Sequence, residues 1–395
     1  MTLVGELTRE TLVINMGPQH PATHGVLRLL LELEGEVILS AEPVIGYLHT
    51  GFEKEMETRT YHQNIVFPPR IEYLATFIEE QAYVMAVEAL LGITPPKRAE
   101  VIRIILAELS RIASHLVWLA TSAIDLNMSS VFMYCFRDRE QILDIFEMVS
   151  GQRMMHGYFR IGGLQWDLPA GFVERVRAFL EEFPPHLDEY ETLLTDNLIW
   201  RHRMEGVAVL SVEDAIRYGC TGPVLRGSGV NYDVRKAFPY GGYQEYEFDV
   251  PLGEHGDSFD RYKIRLEEMR QSRRIILQAL DRLPDGPVLV DDRKVALPPR
   301  QELVRSMEAV IHHFKLVSEG FHPPVGEIYA AVESPRGEKG YYLVSDGSNR
   351  PVRARVRAAS FNNLQALPVM VHKGTVADVV VAIASIDIVL GDVDR

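Results

Sequence analysis

Cysteine is nearly absent. The 395 residues include two, Cys135 and Cys220. They are far apart and neither belongs to a CxxC pair, which excludes a disulfide framework. An iron–sulfur cluster held by a single chain takes about four thiolates, so this chain cannot hold one alone. Long apolar runs are missing too. Val379 to Ile386 is one of the longest and reads as a buried strand, well short of the ~18 residues that span a bilayer. Positive charge is in deficit: 41 Lys and Arg stand against 55 Asp and Glu, a net charge of −14. That balance disfavours nucleic acid or anionic lipid as the main partner and leaves room for a local basic patch. No basic segment followed by an apolar stretch opens the chain, so the expectation is a cytoplasmic protein without a signal peptide. There is no internal repeat and no low-complexity tract.

What remains is ordinary globular composition, 47% hydrophobic and 24% charged, with a mean hydropathy of −0.03. The length allows two or more lobes around a large core. Residues 11–16 (TLVINM), 26–33 (VLRLLLEL) and 37–40 read as strands of a small N-terminal antiparallel sheet, with Leu27, Leu29, Leu31 and Leu33 alternating. Helical spacing dominates afterwards, over 71–91, 97–124, 139–150, 171–194, 258–283 and 300–318, with Pro184-Pro185 expected to break or kink the fourth. Strands return at 340–344, 351–356 and 379–386 between Gly and Pro turns. The predicted class is α+β. An N-terminal β lobe (1–70) and a β-rich C-terminal segment (321–395) flank a helical core (71–320).

The first connection of the N-terminal sheet is Gly17-Pro18-Gln19-His20-Pro21-Ala22-Thr23-His24-Gly25. His20 and His24 are spaced as zinc ligands on one helix face, but Pro21 and Gly25 oppose a helix and no Glu lies between them. Two readings stay open. The loop is a rigid turn whose imidazoles bond to backbone, or it aims an imidazole into a cleft as a positioned proton donor. Tyr73, expected in the first turn of a helix opened by Pro68-Pro69, is either a core tyrosine or a phenol donor. Asp125 ends the long helix, where a negative charge opposes the helix dipole. It is either solvated or paired with a cation or imidazole. His62, His115, His156, His312 and His313 read as structural, Met154-Met155 as core, and Arg270, Arg273 and Arg274 as a solvated helix face.

Five stretches in order, MGPQHPATHGVLRL, EPVIGYLHTGFEK, AELSRIASHL, GVNYDVRKAFPY and ASIDIVLGDVDR, resemble the large D subunit of bacterial NADH–quinone oxidoreductase, respiratory complex I. The resemblance runs from about Thr11 to Arg395. It implies a fold similar to the large subunit of nickel–iron hydrogenases without that enzyme's metal-binding cysteines. Arg59 to Arg70 and Asp387 to Arg395 lie where the two cysteine pairs would be, and neither stretch contains one. It implies that the former metal cavity is a quinone site. There His24 and Tyr73 are ligands of the quinone carbonyls, and Asp125 pairs with His24 and raises its pKa. His20 is then a support of the loop.

The resemblance further implies that no cofactor is held by this chain alone. Quinone is the substrate, electrons come from a 4Fe-4S cluster on a neighbouring subunit, and NAD(H) binds only distant subunits. The implied partners are the B, C and I subunits of the peripheral arm and the H and A subunits of the membrane arm, on the cytoplasmic side of the membrane. Three positions depart from the family pattern: Ala359 and Ile388 where proline is expected, and Met155 where many relatives have a histidine close to the cluster. Two alternatives accompany this reading. One is the same quinone site in a complex fed by ferredoxin or a deazaflavin coenzyme. The other is a non-catalytic docking scaffold.

Overall fold

The computed structural model describes residues 11–395. The start of the N-terminal lobe and the expected leaderless opening lie outside them. Three strands, β1 (Leu12–Met16), β2 (Arg28–Glu34) and β3 (Val37–Val44), form an antiparallel sheet in that order, with an irregularity in register at Glu32/Leu33. Alternation works as the sequence predicts: Leu27, Leu29, Leu31 and Leu33 are buried, each contributing roughly 1.5–3 kcal/mol of transfer free energy.

The chain then turns helical: α1 (Phe52–Thr58), α2 (Pro68–Ile71), α3 (Thr76–Leu91), α4 (Lys97–Asp125) and α5 (Ser129–Ser150). The hairpin β4 (Phe159–Arg160) and β5 (Gly163–Leu164) precedes α6 (Phe172–Leu194) and four short helices, α7 (Leu198–Met204), α8 (Val212–Arg217), α9 (Pro223–Gly227) and α10 (Val234–Ala237). Next come α11 (Ser258–Asp281) and α12 (Met307–Ser318). Helix α4 is long and apolar enough to cross a membrane by length and composition, but its apolar window is 89% buried inside the chain. It is the axis of the core, packed by α3, α5 and α11. Helix α6 runs through Pro184 and Pro185 without ending. Its apolar face, Phe179, Leu180, Phe183 and Leu187, is buried, and that packing offsets the two missing backbone donors.

A second antiparallel sheet, β6 (Gly326–Ser334), β7 (Gly337–Ser345) and β8 (Arg353–Arg357), packs on α3. Ser334 pairs with Gly337 across a two-residue turn, Pro335-Arg336. Four helices close the chain: α13 (Ala359–Gln365), α14 (Leu367–Val371), α15 (Val376–Ile386) and α16 (Leu390–Asp394). The strand expected at 379–386 is therefore a helix. Thr375 and Asp378 form a capping box, and Val379 and Val381 to Ile386 are all buried. From Val379 to Ile386 the helix is almost entirely buried, so its apolar run lacks a polar face and looks like a buried strand.

Helices α14 and α15 share an apolar cluster with the N-terminal sheet, in which Leu27, Leu29 and Leu31 join Val379, Ile383 and Ile386. The two ends of the chain thus form one packed unit. Ala359 opens α13 at a position where proline is well tolerated, and Ile388 is buried in the same cluster. Met154 is 36% exposed and Met155 half-buried with φ 59°, so this pair is not core as expected. It lies in the irregular stretch after α5, where the helix ends at Gly151.

Candidate functional site

The loop after β1 is fixed by its own hydrogen bonds. Thr23 Oγ1 donates to the carbonyls of Pro18 (3.1 Å) and His20 (2.9 Å). The N–H of Ala22 donates to His20 Nδ1 at 3.2 Å. Gly17, at φ +83°, has no room for a side chain: a Cβ would lie 2.2 Å from Leu27 O. The short 3-10 turn Pro21–Thr23 packs against α15. His20 thus serves the loop's own structure. His24 follows at φ 54°, a left-handed conformation that costs a non-glycine residue about 1 kcal/mol or more. Its outer edge is exposed, and it lines an open cleft of about 510 Å³ with Gln19, His20 and Gly25.

Protein packed around the His24 ring lowers its pKa by desolvation. Asp387 acts to raise it and Arg336 to lower it further. The net direction is down, so His24 is a neutral imidazole near neutral pH, able to donate from one ring N–H. Asp125, the expected partner, makes no hydrogen bond to His24 among the described residues. It caps α4 half-buried, burial raises its carboxyl to about 6, and the charge that counters this comes from His20. Among the described residues the charges acting on His24 are Asp387 and Arg336, and the charge acting on Asp125 is His20, in the same loop as His24.

Tyr73 does not sit in a helical turn as expected. Pro68-Pro69 starts α2, which ends at Ile71, and α3 begins at Thr76. Residues 72–75 form a non-helical joint, with Glu72 at φ −125°, ψ 94°. Tyr73 is half-buried there. Burial raises its pKa, Arg336 opposes the shift and Glu72 adds to it, so it stays a phenol.

Arg336 links these groups, and sequence reasoning missed it. Its guanidinium is fully buried. Nη1 donates to Glu72 Oε1 at 2.7 Å and to Ser114 Oγ at 2.6 Å. Nη2 donates to Asp387 Oδ1 at 3.0 Å, and Nε to Asp387 O at 3.1 Å. Asp387 ends α15 at φ 58°. Its Oδ2 is buried without a hydrogen-bond partner among the described residues. Beside this lies a second buried ion cluster, in which Lys339 Nζ meets Glu79 at 2.9 Å and Asp392 at 2.6 Å. Nothing in the sequence marks Arg336 or Lys339 apart from surface cations; only the turn signal Ser334-Pro335-Arg336-Gly337 hints at a fixed position. The C-terminal residues also clasp the segment after β3, for Asp394 accepts from the N–H groups of Gly46 (2.8 Å) and Leu48 (2.7 Å).

Two of the histidines read as structural have structural settings, His115 and His156. His115 bonds Glu268 at 2.8 Å, and His156 stacks on Phe77 with ring centres 4.1 Å apart. Arg270 and Arg274 form ion pairs at the surface, with Glu191 and Asp249. A separate cavity of about 540 Å³ between His62, Arg160 and the 288–300 loop contains none of the three predicted site residues.

The fold and the site thus define an α+β chain in which a neutral imidazole and a phenol lie in the charge field of a buried guanidinium. The model of the respiratory-chain NADH dehydrogenase 49 kDa subunit family matches residues 125–395. Proteins named as the D subunit of NADH-quinone oxidoreductase are similar over nearly their full length. That of Protochlamydia amoebophila is 58% identical over 99% of this chain and 97% of its own. That of one Thermus thermophilus strain is 57% identical over 99% and 95%, and that of Geotalea uraniireducens 56% identical over 98% and 99%. The chain belongs to this family and is a subunit of an NADH–quinone oxidoreductase.

Proposed function

We infer that this chain supplies the quinone head-group end of the site at which its complex reduces quinone. The observation that carries the reading is the buried Arg336 guanidinium, which bonds Glu72, the neighbour of Tyr73, and Asp387, at the end of the helix under the His24 loop, and whose charge acts on both Tyr73 and His24. Reduction adds two electrons and two protons and puts negative charge on the carbonyl oxygens. Donors aimed at those oxygens stabilise that charge. Tyr73 donates its phenol O–H to one carbonyl. His24 donates a ring N–H to the other; a proton passed through that N–H is matched by one taken up at its second ring nitrogen from the open cleft, so the ring ends neutral. Asp125, with a pKa of about 6, gives or takes a proton near neutral pH through His20 and the loop.

In the same reading the fold resembles the nickel–iron hydrogenase large subunit. The Arg59–Arg70 and Asp387–Arg395 stretches enclose the cavity where that relative holds metal. Their direct approach supports this: a Cβ on Gly391 would lie 2.6 Å from Ile71 O and 3.4 Å from Arg70 O. Electrons arrive from a 4Fe-4S cluster on the neighbouring B subunit. The C, I, H and A subunits are the other neighbours, at the cytoplasmic face of the membrane. NADH is the distant donor, which the relatives' names favour over ferredoxin or a deazaflavin coenzyme.

The test is a photoreactive quinone analogue applied to the assembled complex. Labelling of peptides containing His24 or Tyr73 is expected. Labelling confined to another subunit would leave this chain a docking scaffold.

A further inference from the structure

Four separate parts of the chain meet at one side chain, α4 among them through Ser114. The β6–β7 turn supplies Arg336, the joint between α2 and α3 supplies Glu72, and the end of α15 supplies Asp387. Arg336 has little freedom to move. Its backbone N–H donates to Ser334 Oγ at 3.2 Å, its carbonyl accepts from Asn363 Nδ2 at 3.0 Å, and a Cβ on Gly222 would strike that carbonyl at 2.5 Å. Glu72 directly precedes Tyr73. Asp387 ends the helix on which the 3-10 turn before His24 rests.

We propose that Arg336 is a positioning residue for quinone reduction: its rigid fork ties the Tyr73 joint to the end of α15 and thereby sets the spacing and orientation of the two donors, Tyr73 and His24. Lysine could supply the charge but not the fork, because an ammonium is a point charge on a flexible stem and lacks the planar set of donors that reaches Glu72, Ser114 and Asp387 together. The charged groups acting on His24 are Asp387 and Arg336, and those acting on Tyr73 are Arg336 and Glu72. The guanidinium lies within the charge field of both donors, so a shift of its charge is felt at each.

The inference rests on the quinone-site reading, and the experiment separates the two. Arg336→Lys, Glu72→Gln and Tyr73→Phe are made in the assembled complex. Quinone reductase kinetics, their pH profile and NADH:ferricyanide reduction are measured for each. For Arg336→Lys the expected result is a fall of at least tenfold in quinone kcat/KM with ferricyanide reduction retained. The histidine-linked limb of the pH profile should move upward as the cation retreats from His24. Glu72→Gln keeps the Arg336–Asp387 pair and cuts the clamp at the tyrosine end, and should lower quinone kcat/KM in the same direction. Unchanged kcat/KM and pH profile in both, with only lower thermal stability, would make Arg336 a purely structural ion partner and overturn the inference. Failure of both variants to assemble would overturn it as well, by placing the role in folding. A harmless Tyr73→Phe would instead remove the quinone-site reading itself.

Discussion

The ring of Tyr73 lies over Gly391: a Cβ on that glycine would stand 3.4 Å from Tyr73 Cε1. The same Cβ would press to 2.6 Å of Ile71 O, a backbone atom that cannot swing aside. Gly391→Ala should therefore shift the joint that carries Tyr73 without touching any charge. Misplacing a reacting group by about 1 Å costs roughly a hundredfold, so a loss of roughly ten- to a hundredfold in quinone turnover is expected. NADH:ferricyanide reduction should stay normal. Parent-like quinone turnover would mean that the placement of Tyr73 is not critical.

Tyr73→Phe removes one O–H and little volume. Loss of a donor to developing charge lowers turnover by roughly a hundredfold in sites of this type. Quinone reduction should fall steeply while electron entry into the clusters, read by ferricyanide, is preserved. Equal loss of both activities would point to failed assembly.

Asp125 predicts a pH dependence. Burial raises its carboxyl from 3.8 to about 6, so the fold favours the protonated form. That contribution to stability is complete below pH 3.8 and is lost as pH rises through about 6. Asp125→Asn mimics the favoured form. It should be more heat-stable than the parent above pH 6, with the difference vanishing towards pH 4. Its quinone reaction should be slower and lack the parent's change in rate around pH 6. An unaltered rate at every pH would remove Asp125 from the proton chemistry.

The Lys339 cluster makes a stability prediction. Glu79, Asp392 and Lys339 are all buried, and Lys339→Met would leave two carboxylates without their cation. Breaking a buried pair in this way costs about 3–5 kcal/mol. Poor incorporation into the complex, or a markedly lower unfolding midpoint, is the expected outcome. Adding Glu79→Gln should recover part of the loss, because one stranded charge is then neutral. Recovery of nothing would argue that Lys339 acts through packing alone.

Much of the fold was legible in the sequence because its signals are local. The leucine alternation of β2 and the long apolar face of α4 need only neighbours along the chain to be read. The failures share a cause. Val376–Ile386 lacks a polar face because other elements surround it, so its period carried no information. The joint at 72–75 interrupts a run that looks helical throughout, and the residues it packs against come from the far end of the chain. At the site, His24, Tyr73 and Asp125 were readable as residue types in a recognisable order. Their partners were not. Arg336 and Asp387 become informative only once burial removes water from around them, and burial is a property of the whole fold.

The clamp at Arg336 has a consequence for how the protein is made. His24 and Tyr73 lie near the start of the chain, whereas Arg336, Asp387 and Asp394 lie far beyond them (Glu72 and Arg336 alone are 264 apart). During synthesis the early residues leave the ribosome long before their anchors exist. Meanwhile the leucine-lined face of the N-terminal sheet has no α15 to cover it, and exposed apolar surface of this kind invites misassociation. Ribosome stalling or truncation before residue 387 should thus yield a chain in need of chaperone protection. The Arg336 clamp is a late product of translation, completed only when the C-terminal helices reach the N-terminal sheet.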